Sequence, residues 1–180
     1  DVRAASRAAA VEIADQVQPF AQLLIDEHRA AGRVLVLAST SPLAFTKPLA
    51  EELGFDHVIG TAWGHDGDDY TGELDGPFCY GDGKVEAMKA LASWNSYDLA
   101  QSYAYSDSAS DLPMLEAVGH PVVVNPDSRL ERHARRNGWP IVIFSQQTKS
   151  VVRRTATSVG TIGIAGASFA AGVAVAGSRG

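Results

Sequence analysis

Residues 102–115 read SYAYSDSASDLPML, and this stretch decides the fold. An alternating, β-prone run (Tyr103, Ala104, Tyr105) ends in two aspartates four positions apart, Asp107 and Asp111, and Pro113 then opens a helix. In an α/β protein the carboxyl end of a strand is where ligands bind. One carboxylate at a strand tip and a second in the next first turn suit a hard, oxygen-seeking cation such as Mg²⁺. The same spacing suits a plain strand-to-helix turn, with Asp111 near the helix N-terminus and interacting with its dipole. The pair alone does not choose between the two; its companions upstream do.

Working outward, short apolar runs alternate with amphipathic segments. Residues 1–18 are alanine-rich and helical in type, and Pro19 starts a second helix that Gly32 ends. Val34 to Ala38 is a continuous apolar run, as in a strand buried on both faces. Ser39 to Pro42 is turn chemistry. A helix kinked or restarted at Pro48 follows over Leu43 to Leu53, capped by Gly54, and His57 to Thr61 is a further strand. Trp63 to Tyr80, rich in Gly and Asp, reads as a hairpin excursion, and Gly83 to Ala92 returns to helix. After Pro113, a strand at Val122 to Asn125, a helix from Asp127 to a Gly138 cap and a strand at Ile141 to Phe144 complete the pattern. Strands alternating with helices imply crossover connections, so the expected class is α/β with a mainly parallel sheet.

The 180 residues, 46% hydrophobic and 20% charged, fit one globular domain with an ordinary core. A net charge of −6 argues against a nucleic-acid partner, whose phosphates would be repelled. The single cysteine, Cys79, excludes an internal disulfide framework and fits a reducing, cytoplasmic compartment; it reads as a packed residue rather than a nucleophile. The first fifteen residues are charged and helix-prone, unlike a signal peptide. The five histidines show no metal-ligand spacing.

Three loops follow strands or open helices on what should be one edge of the sheet. Ser39-Thr40-Ser41-Pro42 offers hydroxyls and backbone N–H groups to phosphate oxygens, or simply an N-capping serine. Lys84, in Gly81-Asp82-Gly83-Lys84, stands at a helix N-terminus, where the dipole disfavours a cation, and a residue placed against local preference is a functional candidate. The third loop carries Asp107 and Asp111. GDGK is neither a P-loop nor a dinucleotide fingerprint, because the required glycines and the following Ser or Thr are missing. The run Asp66-Gly67-Asp68-Asp69 fails as a calcium loop and reads as a solvated hairpin tip.

A hydroxyl after a strand, then a lone lysine, then a strand ending in D-x-x-x-D resembles the haloacid dehalogenase superfamily of phosphatases. Within it, the chain looks like subfamily IB, the group that includes phosphoserine phosphatases. The resemblance runs from about Val17 to Phe144 and rests on STSP, TGELDGPFCYGDGK, AYSDSASDLPML and the VNPD…GWP segment. It implies a Rossmann-like parallel sheet flanked by helices and a Mg²⁺-dependent phosphomonoester hydrolase acting on a small phosphorylated metabolite through a phospho-aspartyl intermediate. It implies that Ser39, with Thr40, binds the transferring phosphoryl group, and that Lys84 neutralises phosphate and nucleophile. Asp107 and Asp111 would hold Mg²⁺ directly or through its water shell. Ser110 takes a substrate-contact position at which relatives often carry an amide.

The family's first motif, D-x-D-x-[TV], is absent before Ser39. The resemblance then implies that the first, central strand, the nucleophile and most of a helical cap are missing, so that the chain as given is an inactive fragment. Residues 1–18 become the end of the cap, 19–146 the phosphatase core, and 147–180 a small-residue tail. In the family's sheet the first strand lies between Val34–Ala38 and Tyr103–Ser106, so a slot is expected there, empty or closed by direct pairing of those two strands. From Thr155 to Gly177 there is no charge, and the segment suits either a membrane crossing or a flexible linker. The rival function is a non-catalytic domain of the same fold that tethers or regulates a membrane-associated partner, such as a fused lipid acyltransferase, through 155–177.

Overall fold

The computed structural model describes residues 2–67, 69–143 and 172–176. Among these residues the α-helices are α1 (Val2–Ala14), α2 (Pro19–Ala30), α3 (Leu43–Leu53), α4 (Asp82–Asn95), α5 (Leu112–Glu116) and α6 (Ser128–Asn137). The strands among them are β1 (Val34–Pro42), β2 (His57–Thr61), β3 (Trp63–Asp66), β4 (Asp69–Leu74), β5 (Tyr103–Ser106), β6 (His120–Val124), β7 (Ile141–Val142) and β8 (Gly172–Ala176). The main sheet has the order β2-β1-β8-β5-β6-β7, and β3 pairs with β4 in a separate hairpin. The β1/β2, β5/β6 and β6/β7 ladders are parallel, so the α/β class holds.

Local chemistry sets the boundaries. Gly54 and Gly138 end α3 and α6 in the left-handed region, at φ +70° and +66°, which a residue without Cβ enters freely. Asp127 caps α6 by accepting from the N–H groups of Arg129 and Leu130. Helix α3 continues through Pro48 rather than restarting there. The Ser39–Pro42 segment is extended and belongs to β1, not to a turn. Its register is irregular: Ala38 pairs with Ile59 but Pro42 with Thr61, four steps on one strand against two on the other. Such bulges re-aim side chains and cluster near sites.

The centre of the sheet differs from expectation. Neither an empty slot nor direct β1–β5 pairing is present; β8 lies between them, antiparallel to both. Val34 pairs with Ala176 and Ala38 with Gly172 on one side, and Tyr103 with Val175 on the other. The physical reason is the one that makes an open edge costly, since unpaired N–H and C=O groups of two central strands are satisfied by any extended segment that reaches them. Residues 172–176 therefore belong to the sheet and not to a membrane-crossing helix over 155–177, which corrects the membrane reading for that part. The remainder, 155–171 and 177, lies outside the described residues. No helix among the described residues is long and apolar enough to cross a membrane.

The largest core cluster joins β1, β5 and β6 to α4, α5 and α6, with Ala104, Met114, Leu115, Val123 and Leu130 fully buried. A second cluster packs Ala10 of α1 with Leu37 and with Leu49 and Ala50 of α3. On the other side of β5, Ile25 of α2 meets Leu35 and Tyr105.

Candidate active site

Strand β5 delivers the acids. Ala104 and Ser106 share one face by strand alternation, and both are buried on the side of α4 and α5. Asp107 follows the strand tip, and a short 3₁₀ turn over Ala109–Asp111 ends on Asp111. Asp111 occupies the N-cap position of α5, yet its side chain makes no capping bond. Its Oδ1 instead accepts from Lys84 Nζ at 2.5 Å and its Oδ2 from Ser106 Oγ at 2.7 Å. Asp111 thus sits at the helix N-terminus, as a plain strand-to-helix turn would have it, but its carboxylate is spent on Lys84 and Ser106 rather than on the helix N–H groups.

Lys84 and Asp111 are each 1% exposed, an ion pair fully withdrawn from water. The pair accounts for a cation sitting in the first turn of α4 against the helix dipole. The approach to Lys84 is tight: a Cβ at Gly83 would lie 2.2 Å from the Phe78 carbonyl oxygen, so only glycine fits. Gly81, at φ +52°, makes the turn that starts the helix. Buried Cys79 sits within the field of both Lys84 and Asp111, and burial pushes its thiol pKa up, keeping it an inert packed group.

Asp107 is half-buried. Burial raises its carboxyl pKa; its own backbone N–H pulls the other way; Asp111 and Asp127 raise it further and Lys84 lowers it. Its backbone carbonyl accepts from the N–H of Asp127 at 2.9 Å. Asp127 ties this loop to α6, accepting also from the N–H of Ala109 at 2.7 Å. Burial alone would raise the Asp127 carboxyl, but the N–H groups of Leu130, Ala109 and Arg129 hold it below the ordinary carboxylate value.

Ser39, 5% exposed, accepts from the N–H of Ser41 at 3.2 Å, a local turn bond inside the bulge. Thr40 presents its carbonyl to the Thr61 hydroxyl at 2.7 Å. Ser110 shares a hydroxyl–hydroxyl bond of 2.9 Å with Ser108. Lys84 and Asp111 are thus in direct contact, Asp107 shares their field, and the Ser39–Thr40 loop connects to the Cys79–Lys84 loop through Thr61. Ser106 and Thr61 were not legible as site residues. Ser106 carried a signal, a hydroxyl at the buried parity of β5, which needs a partner there. Thr61 carried none.

Asp107 and Asp111 are the acids that would hold Mg²⁺ here. Asp111 already spends both oxygens on Lys84 and Ser106, whereas the half-buried carboxyl of Asp107 feels the repulsion of Asp111 and Asp127, which a cation would relieve. No group of three or more His, Cys, Asp or Glu side chains able to hold a metal occurs among the described residues. One or two carboxylates with retained waters is the usual coordination of Mg²⁺.

The family model of haloacid dehalogenase-like hydrolases matches residues 1–116. The chain is 48% identical over 128 residues to a Streptomyces azureus protein named for inhibition of morphological differentiation, covering 70% of this chain and 46% of that one. A probable phosphatase of Mycobacterium tuberculosis is 43% identical, with 77% and 48% covered. A phosphoserine phosphatase of the same organism is 35% identical, with 88% and 51% covered. The chain thus spans about half the length of these curated relatives. Among solved structures, a Bordetella pertussis protein of unknown function superposes with a TM-score of 0.65 at 33% identity, over 68% of this chain and 56% of that one. A probable phosphoserine phosphatase from Vibrio cholerae shares the fold, with a TM-score of 0.61 at 21% identity, over 82% and 47%. The chain belongs to the haloacid dehalogenase-like hydrolases, and its relatives among them include a phosphoserine phosphatase.

Proposed function

We propose, from that membership, that these residues are the phosphate- and metal-binding core of a phosphomonoester hydrolase similar to phosphoserine phosphatases, acting on a small phosphorylated metabolite. The observation that carries this reading is the buried Lys84–Asp111 pair with Asp107 beside it. Withdrawing a cation and an acid from water carries a desolvation cost that a structural role alone does not require, and a buried lysine is well suited to a phosphoryl group. Ser39 and Thr40 would hydrogen-bond the phosphoryl oxygens from the bulge of β1. Lys84 would neutralise the transferring group, held in place by Asp111, which Ser106 in turn orients. Asp107 would ligate Mg²⁺ directly, with Asp111 reaching it through a water, and Ser110 would face the substrate. Mg²⁺, when bound, supplies charge neutralisation to a phosphoryl oxygen.

A covalent route through a phospho-aspartate needs an aspartate nucleophile. No D-x-D-x-[TV] stretch precedes Ser39, and β8 brings Gly172, not an acid, alongside Ala38. The 180 residues alone are therefore expected to bind phosphate without turning over a phosphomonoester. Inorganic phosphate titrated with Mg²⁺ should bind, Lys84→Met should weaken it about tenfold or more, and the milder Ser39→Ala should weaken it less. Binding indifferent to both changes would overturn the site. Hydrolysis of an aryl phosphate that Asp107→Asn abolishes would overturn the expected inactivity.

A further inference from the structure

We infer that Thr61 is a positioning residue, the clamp that fixes the Ser39–Thr40 loop relative to the loop bearing Lys84. The inference rests on the phosphate-site reading above and adds a residue to it. Its basis is the register of β1 against β2. Between the Ala38–Ile59 and Pro42–Thr61 pairs, β1 carries two more residues than β2, so regular backbone pairing lapses across Ser39, Thr40 and Ser41. The Thr40 carbonyl, which an unbroken ladder would serve with a backbone N–H, is served instead by the Thr61 hydroxyl at 2.7 Å.

The same hydroxyl oxygen accepts from the backbone N–H of Cys79 at 3.4 Å. Thr61 is 1% exposed, so water does not compete for either bond. One oxygen therefore joins three segments: the end of β2, the bulge of β1 and the turn that leads into α4. Both neighbours are closely packed. Gly60 lies against the bulge so closely that a Cβ would stand 3.2 Å from the Ser41 carbonyl oxygen and 2.9 Å from Leu43 Cδ2. On the other side, Tyr80 and Gly83 bond back to Phe78 and Tyr80 within the turn, and Gly83 has no room for a side chain against Phe78. Moving the Thr40 carbonyl or the Cys79 amide thus moves Ser39 relative to Lys84, the two groups proposed to hold one phosphate.

The experiment compares Thr61→Val, which keeps the branched shape and removes the hydroxyl, with Thr61→Ser, which keeps the hydroxyl. Inorganic phosphate is titrated with Mg²⁺ by calorimetry into the full 180-residue chain. Backbone amide exchange at Ser41 and Cys79 is read in parallel. Thr61→Val should lose about tenfold in phosphate affinity, in line with the cost of small misplacements in a preorganised site, and should speed exchange at both amides. Thr61→Ser should restore affinity to within about twofold, since it keeps both hydrogen bonds. Ile59→Val, which removes one methylene from the same strand's core contact and no hydrogen bond of either loop, should leave affinity unchanged, separating positioning from plain loss of stability. Wild-type affinity in Thr61→Val, or equal loss in Ile59→Val, would overturn the inference. If the wild-type chain took up no phosphate, the proposed site would fall. The clamp would then stand or fall on whether the Ser41 and Cys79 amides exchange faster in Thr61→Val.

Discussion

Successive residues of β5 face opposite sides of the sheet, and each buries a polar group in a different way. Ser106 points toward α4 and α5 and joins the Lys84–Asp111 ion pair. Tyr105 points toward α2, where its hydroxyl meets His28 Nε2 at 2.7 Å, with Arg33 at 3.2 Å from Nδ1. Arginine has no acceptor, so Nδ1 must accept, and the imidazole is the neutral tautomer that donates from Nε2 to the Tyr105 oxygen. The Tyr103 ring fills the rest of that space, under Arg33 and tilted against His28. On the first face opposite charges are kept in a dry interior as a pair. On the second, burial and Arg33 depress the His28 pKa, and burial pushes the Tyr105 phenol up to about 12, so both stay neutral at ordinary pH. A buried charge pair marks the face where chemistry is proposed, and a neutral hydrogen-bonded joint marks the face that only holds layers together.

The hardest blow to this contrast is to remove one member of the pair. Lys84→Met leaves a carboxylate at Asp111, 1% exposed, with no cation in contact. The loss should be about 3–5 kcal/mol in urea denaturation, and Asp111→Asn should cost a similar amount. The double change Lys84→Met with Asp111→Leu should cost clearly less than the two single losses added, because no unpaired charge remains. Strict additivity, or a loss under about 1 kcal/mol for Lys84→Met, would mean the pair is not held dry.

The other face should answer to pH. His28 is depressed below its ordinary value of 6.5, so the unfolded chain binds the proton more readily than the folded one. Stability from this joint is therefore present above pH 6.5 and is lost as pH falls from there toward the folded pKa. Denaturation midpoints taken from pH 7.5 to 5 should fall for the wild type and fall less steeply for His28→Gln. Tyr105→Phe removes one hydrogen bond and should cost about 1–3 kcal/mol at pH 7.5. Equal slopes for wild type and His28→Gln would remove the neutral joint from the account.

How far the sequence revealed these features follows from how local each one is. The cap glycines Gly54 and Gly138, the Asp127 cap and the strand at Val34 were readable because their causes lie within a few residues. Lys84 was readable because it defies its own helix terminus. The His28–Tyr105 bond spans 77 residues and left no trace in either neighbourhood. Likewise Gly172–Ala176, written GVAVA, carries an ordinary small-residue composition, and only the open ladders of β1 and β5 give it a central place. The Ser39–Pro42 bulge looked like a turn because its residues suit turns. Its extended course is set by β2, which no local window contains.

The mildest test falls on Asp127, which links the acid-bearing loop to α6 from an exposed position. Its carboxylate accepts from three backbone N–H groups, those of Ala109, Arg129 and Leu130. Asp127→Ala should cost about 0.5–2 kcal/mol, the usual range for a lost N-cap, while Asp127→Asn, itself a good cap, should recover most of it. The sign with pH is opposite in origin to that of any raised carboxyl. Because its folded pKa lies below the ordinary 3.8, the contribution is full above that value and fades as pH falls through the folded pKa. Asp127→Asn has no such proton to gain, so its stability between pH 5 and about 3 should decline less than the wild type's. The loss in Asp127→Ala should also reach past α6: freeing the Ala109 amide loosens the loop that holds Asp107, and Mg²⁺ binding followed by calorimetry should weaken modestly. A full loss of stability without any change at the Ala109 amide would confine Asp127 to its helix and cut the link to the acids.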